Sequence, residues 1–159
     1  CFWGPEIKFS KLDGVIKTEV GYCGGHNAET NYKEVCTGTT NHAEVVKLDF
    51  DPKVISYEKI LEYFFEIHDP TTLNSQGPDF GTQYRSEIFY LNDNQKMIAD
   101  KVLNEVNERL SGKVVTKISM ERKTAQRIAT IVSLRMIVRV SFAWLKPPST
   151  KPRPVCWMP

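Results

Sequence analysis

The spacing of apolar side chains predicts two long helices and one short one. Between Ser56 and Ile67, apolar residues recur three and four positions apart, and the Ser56 side chain can cap the first turn. From Asp93 to Leu110, an apolar residue returns at every fourth position. A short helix is predicted to begin near Pro5, because the fixed φ of proline suits a first helical turn.

Alternating apolar and polar residues predict four strands, over residues 15–22, 43–50, 86–91 and 114–118. In the first strand, we expect Ile16, Val20 and Tyr22 to share one face. In the second strand, alternation places Glu44 on the same face as three apolar residues, which is unusual for a carboxyl group. Helices and strands in this mixed order predict an α+β fold, with helices packed on a mixed sheet in two layers.

Charge divides the chain into two unequal parts. Residues 1–118 carry 13 Lys and Arg against 18 Asp and Glu, a net charge of −5, whereas residues 119–159 carry 8 against 1, a net charge of +7. With 159 residues, 41% hydrophobic and 25% charged, the chain is expected to form one globular domain with its own core. No apolar run approaches the ~18 residues of a membrane span. We therefore predict one folded domain over residues 1–118, followed over residues 119–159 by an atypical basic, apolar and then proline-rich tail.

Four cysteines are too few and too scattered for a disulfide framework: Cys1, Cys23, Cys36 and Cys156. They favour a reducing compartment, cytoplasmic or organellar, with one or more reactive thiols. The chain begins at Cys1 rather than Met, so we expect that a leader or a piece of the domain has been removed, and targeting signals cannot be read.

The first residues combine a thiol with two aromatic side chains. Cys1 is followed by Phe2 and Trp3, and then by the helix predicted near Pro5. A thiol at or just before a helix N-terminus is shifted toward the thiolate, which is the nucleophilic form. Phe2 and Trp3 would then wall an apolar pocket, although a core cysteine with core aromatics is an equally open interpretation.

Four further side chains are candidates for polar chemistry: Glu44, Tyr32, Tyr84 and Asp79. A carboxyl group desolvated on an apolar strand face would have a raised pKa and could serve as a general acid. Alternatively, Glu44 reaches water at the strand end. The two tyrosines lie in polar loops and could bind a substrate oxygen or simply pack, and Asp79 could instead form a turn.

Histidines and cysteines also permit a zinc site or a thiol hydrolase. Two pairs have loosely zinc-like spacing, Cys23-x2-His26 and Cys36-x5-His42, but the second is wider than usual. A thiol hydrolase would need a base for Cys1, which could be its own amine or one of the three histidines, His26, His42 or His68.

Taken together, these motifs resemble those of a known family. The matching segments are Cys1-Phe2-Trp3-Gly4, Gly21-Tyr22-Cys23-Gly24-Gly25, Tyr32-Lys33-Glu34-Val35-Cys36, His42-Ala43-Glu44, His68-Asp69-Pro70-Thr71 and residues 76–86. In order and spacing they resemble the A-type peptide methionine sulfoxide reductases over residues 1–118. That family has a ferredoxin-like reductase fold, and the resemblance implies that its first strand, which leads into the cysteine, is missing from this chain.

The resemblance also implies a mechanism. Cys1 attacks the sulfur of a methionine S-sulfoxide, protonated Glu44 donates to the oxygen, and Tyr32 and Tyr84 hydrogen-bond that oxygen. Asp79 belongs to the same polar network, whereas Phe2 and Trp3 hold the substrate methyl group. Cys1 is left as a sulfenic acid.

Recycling in such a family needs a second thiol and an external reductant. The resemblance implies a resolving cysteine, for which Cys156 and Cys36 are the candidates here, and reduction by thioredoxin or a small dithiol. It implies oxidised proteins and free methionine sulfoxide as substrates. We expect no bound metal or organic cofactor, no nucleic-acid or membrane partner, and a monomer. Two rival functions remain, a catalytically impaired homologue that binds oxidised peptides and a cysteine hydrolase.

Overall fold

The computed structural model describes residues 3–27, 30–121 and 136–140, with the backbone alone for residue 3 and residues 136–140. Cys1, Phe2 and Cys156 lie outside the described residues. The helices are α1 (Trp3–Phe9), α2 (Tyr32–Cys36), α3 (Tyr57–Ile67) and α4 (Asp93–Arg109), with a 3-10 turn at Thr82–Tyr84. The strands are β1 (Val15–Cys23), β2 (Ala43–Phe50), β3 (Ser75–Gln76), β4 (Asp79–Phe80), β5 (Glu87–Tyr90), β6 (Lys117–Met120) and β7 (Met136–Val140).

Five strands form one sheet in the order β1-β2-β7-β5-β6, and β3 pairs with β4 in a separate hairpin. β1 and β2 are antiparallel, whereas β7 runs parallel to both β2 and β5, and β6 runs parallel to β5. The predicted α+β fold with a mixed sheet is confirmed. The tail contributes β7, which occupies the centre of this sheet.

The core lies between the sheet and the two long helices. Leu48 and Ile88 from the sheet are fully buried together with Ile60 of α3 and Val102 of α4. Helix α3 forms where it was predicted because Ser56 accepts a hydrogen bond from the Lys59 amide and its apolar residues share one face. In the described part of the chain, none of the helices has the length and apolar character needed to cross a membrane.

Two details of the predicted strands were wrong. Ile16 is 56% exposed instead of sharing the buried face, because the pairing of β1 with β2 shifts register between Val15 and Lys17. The last strand begins at Lys117 rather than near residue 114. The Val115 amide instead donates to the Pro70 carbonyl, so this segment pairs with a loop before it enters the sheet.

Candidate active site

A buried tyrosine and a buried glutamate face each other across the first two strands. The register of β1 and β2 pairs Tyr22 with Glu44, and only 2% and 3% of their surfaces are exposed. Directly opposed residues of an antiparallel pair project on the same side of the sheet. Glu44 therefore lies in the interior, and the alternative of a strand-end glutamate reaching water is wrong.

Helix α2 brings a phenol and a thiol next to this carboxyl group. Asn31 caps the helix by accepting a hydrogen bond from the Glu34 amide at 3.1 Å. Tyr32 and Cys36 are one helical turn apart, and a hydrogen bond with the Cys36 side chain raises the pKa of Tyr32. The charge of Glu44 acts in the same direction. Tyr32 as a whole is 56% exposed, in contrast to the buried Glu44.

The segment after β2 and α3 supplies the second phenol and an aspartate. Asp79 opens β4 and pairs with Gln76 across a tight turn, in which Gly77 has a φ of 56°. Tyr84 ends the 3-10 turn that follows. Burial, and then the negative charges of Glu44 and Asp79, raise the pKa of Tyr84 to about 12. Both phenols therefore keep their protons near neutral pH and can donate hydrogen bonds.

A buried arginine fixes the 3-10 turn against the start of β2. Arg85 donates from Nε to Glu87 at 2.8 Å, from Nη1 to the Thr82 carbonyl at 2.8 Å and from Nη2 to the Asn41 carbonyl at 3.0 Å. The side chains of Arg85 and Glu87 are only 10% and 6% exposed. This cluster sets the position of Tyr84 relative to the strand that carries Glu44.

Two glycines after β1 let the chain pass close to its neighbours. Gly24 has a φ of 71°, and a Cβ there would lie 2.8 Å from the Phe89 ring. A Cβ at Gly25 would lie 2.2 Å from the His42 ring. The Gly-Gly pair thus allows β1 to end tightly against β2, next to Tyr22 and Glu44.

The proposed nucleophile and the apolar wall fall outside the part of the chain that the structure describes. Cys1 and Phe2 lie beyond the described residues, as does the Trp3 side chain. The helix that follows them is anchored to the sheet, because Glu6 accepts a hydrogen bond from Thr18 of β1 at 2.9 Å.

Two of the three histidines, His42 and His68, have hydrogen-bond partners among the described residues. His42 contacts the Asn27 carbonyl through Nε2 at 3.0 Å, and burial lowers its pKa. His68 contacts the Phe64 carbonyl through Nδ1 and Ser86 Oγ through Nε2, the latter at 2.7 Å. Burial also lowers the pKa of His68. These contacts give no support to either residue as a base for a hydrolase.

The zinc interpretation also finds no support. Within residues 3–27 and 30–121, no three His, Cys, Asp or Glu side chains are grouped as a metal site would require. Cys23 is buried in a small apolar cluster with Val45 and Phe89, whereas Cys36 is exposed.

An open groove lies elsewhere on the surface. It has a volume of about 740 Å³ and is lined by residues 65–71, Gln76, Gly77 and Leu110. None of the phenols or carboxyl groups described above lines this groove. We therefore place the candidate functional site where those groups lie, at the ends of β1 and β2.

Sequence reasoning missed Tyr22 and Arg85. Tyr22 was recognised as a strand residue in a family motif, but only the strand register places it opposite Glu44. Arg85 directly follows Tyr84 in the sequence, yet its contact with the Asn41 carbonyl joins residues 44 positions apart and forms only on folding. An arginine directly after a candidate site residue is the sequence signal that could have identified it.

Comparison with known proteins identifies a family for this chain. The profile of the family described as peptide methionine sulfoxide reductase matches residues 1–126. The peptide methionine sulfoxide reductase MsrA of Pelagibacter ubique is 79% identical over 120 residues, covering 76% of this chain and 82% of the relative. The reduced form of Mxr1 from Saccharomyces cerevisiae has a similar structure, with a TM-score of 0.73 and 39% identity, over 77% of this chain and 72% of Mxr1. Mxr1 in complex with Trx2 matches with a TM-score of 0.56 and 25% identity, over 84% of this chain and 82% of that one.

The fold and these relatives define an α+β oxidoreductase that reduces methionine sulfoxide. The chain belongs to the peptide methionine sulfoxide reductase family. The family match ends at residue 126, so most of the tail lies beyond it.

Proposed function

We propose that this chain reduces the S epimer of methionine sulfoxide, in proteins and as the free amino acid, through a sulfenic acid on Cys1. The observation that carries the proposal is the convergence of a buried carboxyl group, Glu44, with the phenols Tyr32 and Tyr84 at one end of the sheet. These are the groups that a sulfoxide oxygen requires: one proton donor and two hydrogen-bond donors.

In the first step, the Cys1 thiolate attacks the sulfoxide sulfur. Glu44 is only 3% exposed, and burial of a carboxyl group disfavours its ionised form, so it enters the reaction protonated. It gives its proton to the sulfoxide oxygen while Tyr32 and Tyr84 donate hydrogen bonds to that oxygen. The oxygen is transferred to Cys1, whose sulfur loses two electrons as the substrate sulfur gains two. Methionine leaves, and Cys1 remains as a sulfenic acid.

The enzyme is expected to act on one sulfoxide epimer because the pocket fixes two substituents of the chiral sulfur, the methyl group and the oxygen. Phe2 and Trp3 hold the methyl group, whereas Tyr32 and Tyr84 hold the oxygen. With Cys1 approaching from a third direction, the mirror-image sulfoxide cannot place all its groups correctly.

Recycling requires a second thiol, which condenses with the sulfenic acid to form a disulfide and water. Thioredoxin then reduces this disulfide by exchange, a role supported by the related Mxr1, which has been captured in a complex with Trx2. Cys36 and Cys156 are the candidate resolving thiols. Cys36 is exposed and lies beside Tyr32, at the edge of the proposed pocket.

A single-turnover assay tests the proposal. Reduced protein is mixed with a peptide containing one epimer of methionine sulfoxide, without external reductant, and the methionine formed is counted. We expect about one methionine per chain from the S epimer, none from the R epimer, and none with Cys1→Ser. Equal consumption of both epimers, or activity in the Ser variant, would contradict the mechanism. Peptide binding without methionine formation would favour the impaired homologue.

A further inference from the structure

Tyr22 carries a buried hydroxyl group that the mechanism above does not use. Only 2% of its surface is exposed, and its hydroxyl has no hydrogen-bond partner among the described residues. Leaving a buried hydroxyl unbonded costs free energy, and phenylalanine would fill the same space without that cost. The hydroxyl therefore calls for an explanation.

The strand register shows what this hydroxyl faces. Tyr22 and Glu44 are directly opposed on β1 and β2, and both belong to the inner face of the sheet. Side chains at opposed antiparallel positions have Cβ atoms ~5 Å apart, which is close enough for their polar ends to interact.

Groups from three neighbouring elements influence the pKa of the phenol. Burial, and then the negative charge of Glu44, raise the pKa of Tyr22 above its ordinary value. Cys36 and Tyr32 of α2 and Tyr84 of the 3-10 turn act in the same direction. The Tyr22 hydroxyl thus stays protonated, and it faces the same groups that are proposed to act on the sulfoxide.

We propose that Tyr22 is a positioning residue for Glu44, donating a hydrogen bond to the carboxylate that forms when the Glu44 proton passes to the sulfoxide oxygen. The inference rests on the proposed function. A carboxylate that appears in a buried site needs a donor at that moment, because an uncompensated charge in a low-dielectric interior is costly. The Tyr22 hydroxyl can supply this hydrogen bond, because it is unbonded among the described residues and Tyr22 lies opposite Glu44. Before the reaction it does not compete for the proton of Glu44.

The test compares two buried tyrosines that differ in their surroundings. Tyr22→Phe removes the proposed donor. Tyr57→Phe is the matched control, since the Tyr57 hydroxyl is also buried without a hydrogen-bond partner among the described residues. Burial alone raises the pKa of Tyr57, so no charged group in the described part of the chain influences this hydroxyl as Glu44 influences that of Tyr22. Removing a hydrogen bond to a charged group should lower the single-turnover rate about 10- to 100-fold, with KM changed less than about twofold. Thermal stability should stay unchanged or rise in both variants, and Tyr57→Phe should keep the parent rate.

A second measurement does not depend on activity. The midpoint of the Glu44 carboxyl titration, followed by 13C NMR in side-chain-labelled protein, should move to higher pH in Tyr22→Phe because the carboxylate has lost a donor. It should not move in Tyr57→Phe. A Tyr22→Phe rate within about twofold of the parent, or an unchanged Glu44 midpoint, would overturn the inference. If the parent itself fails to reduce the sulfoxide, the proposed function fails, and the titration alone decides the role of Tyr22.

Discussion

Arg85 donates a hydrogen bond from Nη2 to the Asn41 carbonyl at 3.0 Å, which ties the 3-10 turn to a residue two positions before β2 begins. Asn41 adopts a left-handed conformation with a φ of 53°, and the next residues lead into the strand that carries Glu44. Because Arg85 also holds the Thr82 carbonyl, the phenol of Tyr84 is positioned relative to Glu44 through backbone contacts. Rigid support of this kind is what two groups need to act on one substrate oxygen.

Replacing Arg85 should destabilise the whole domain. Arg85→Met leaves Glu87, with a side chain only 6% exposed, without its cationic partner, so the free energy of unfolding should fall by about 3–5 kcal/mol. Urea unfolding measures this loss. Lys59→Met is the control, since the Lys59 side chain is 71% exposed in its ion pair with Glu62, so its loss should change the free energy of unfolding far less. Equal losses in the two variants would contradict a special role for the buried pair.

Glu44→Gln should lower turnover much more than affinity. Glutamine keeps the shape of the buried side chain but has no proton to give, and a placed general acid contributes ~10²–10⁴-fold. The loss should appear in kcat rather than in KM, because the proton is needed chiefly in the transition state. Steady-state kinetics with a small dithiol as reductant measures both constants. A Gln variant within about twofold of the parent would leave Glu44 with a structural role only.

Stability should fall in acid through Glu19. Hydrogen bonds from Lys17 and Lys47 lower the pKa of Glu19 to about 2, from an ordinary value of 4.5. Its contribution is therefore fully present above pH 4.5 and is lost as the pH falls toward 2. The Glu19 side chain is 42% exposed, so solvent screening keeps this contribution below about 1 kcal/mol.

The measurement is urea unfolding of the parent and of Glu19→Gln across that acid range. The stability difference between them should shrink as the pH falls. If the free energy of unfolding changes with pH in the same way for both proteins from pH 4.5 to 2, the two lysine contacts do not stabilise the fold.

Removing β7 should destabilise the sheet. A chain that ends after Glu121 would leave β2 and β5 without the parallel strand that lies between them, exposing unpaired edges in the middle of the sheet. We expect a fall in Tm of more than ~10 °C, since several kcal/mol of strand pairing and burial are lost. Calorimetry should compare this chain with one that ends after Val140, which keeps β7. The same Tm for both truncated chains would show that β7 does not contribute to stability.

Recycling should be slow with thioredoxin and faster with a small dithiol. Cys156 lies in a proline-rich segment and no glycine follows Gly112, so we expect the tail to be poorly suited to bring a thiol to Cys1. Without reductant, we expect about one methionine per chain and a sulfenic acid that persists and can be labelled with dimedone. Rapid loss of two thiols, mapped to a Cys1–Cys156 bridge, would contradict this, whereas a Cys1–Cys36 bridge would identify Cys36 as the resolving thiol.

The sequence by itself determined the elements whose signals are local. Apolar spacing and the Ser56 cap located α3 correctly, and alternation located β2 at Ala43–Phe50 and placed Glu44 on its apolar face. These predictions succeeded because helix caps and strand periodicity depend on residues a few positions apart. The family motifs likewise identified the class of enzyme, since residue types at fixed spacing can be read from the chain alone.

Only the tertiary structure decided which distant residues meet. Strand register decides the bulge that exposes Ile16 and the pairing of Tyr22 with Glu44. The contact of Arg85 with Asn41 likewise joins segments that are distant in sequence. The position of β7 between β2 and β5 is of the same kind, because parallel pairing joins segments far apart in sequence. Such contacts are selected by the burial and hydrogen bonding of the whole domain, and no short segment encodes them on its own.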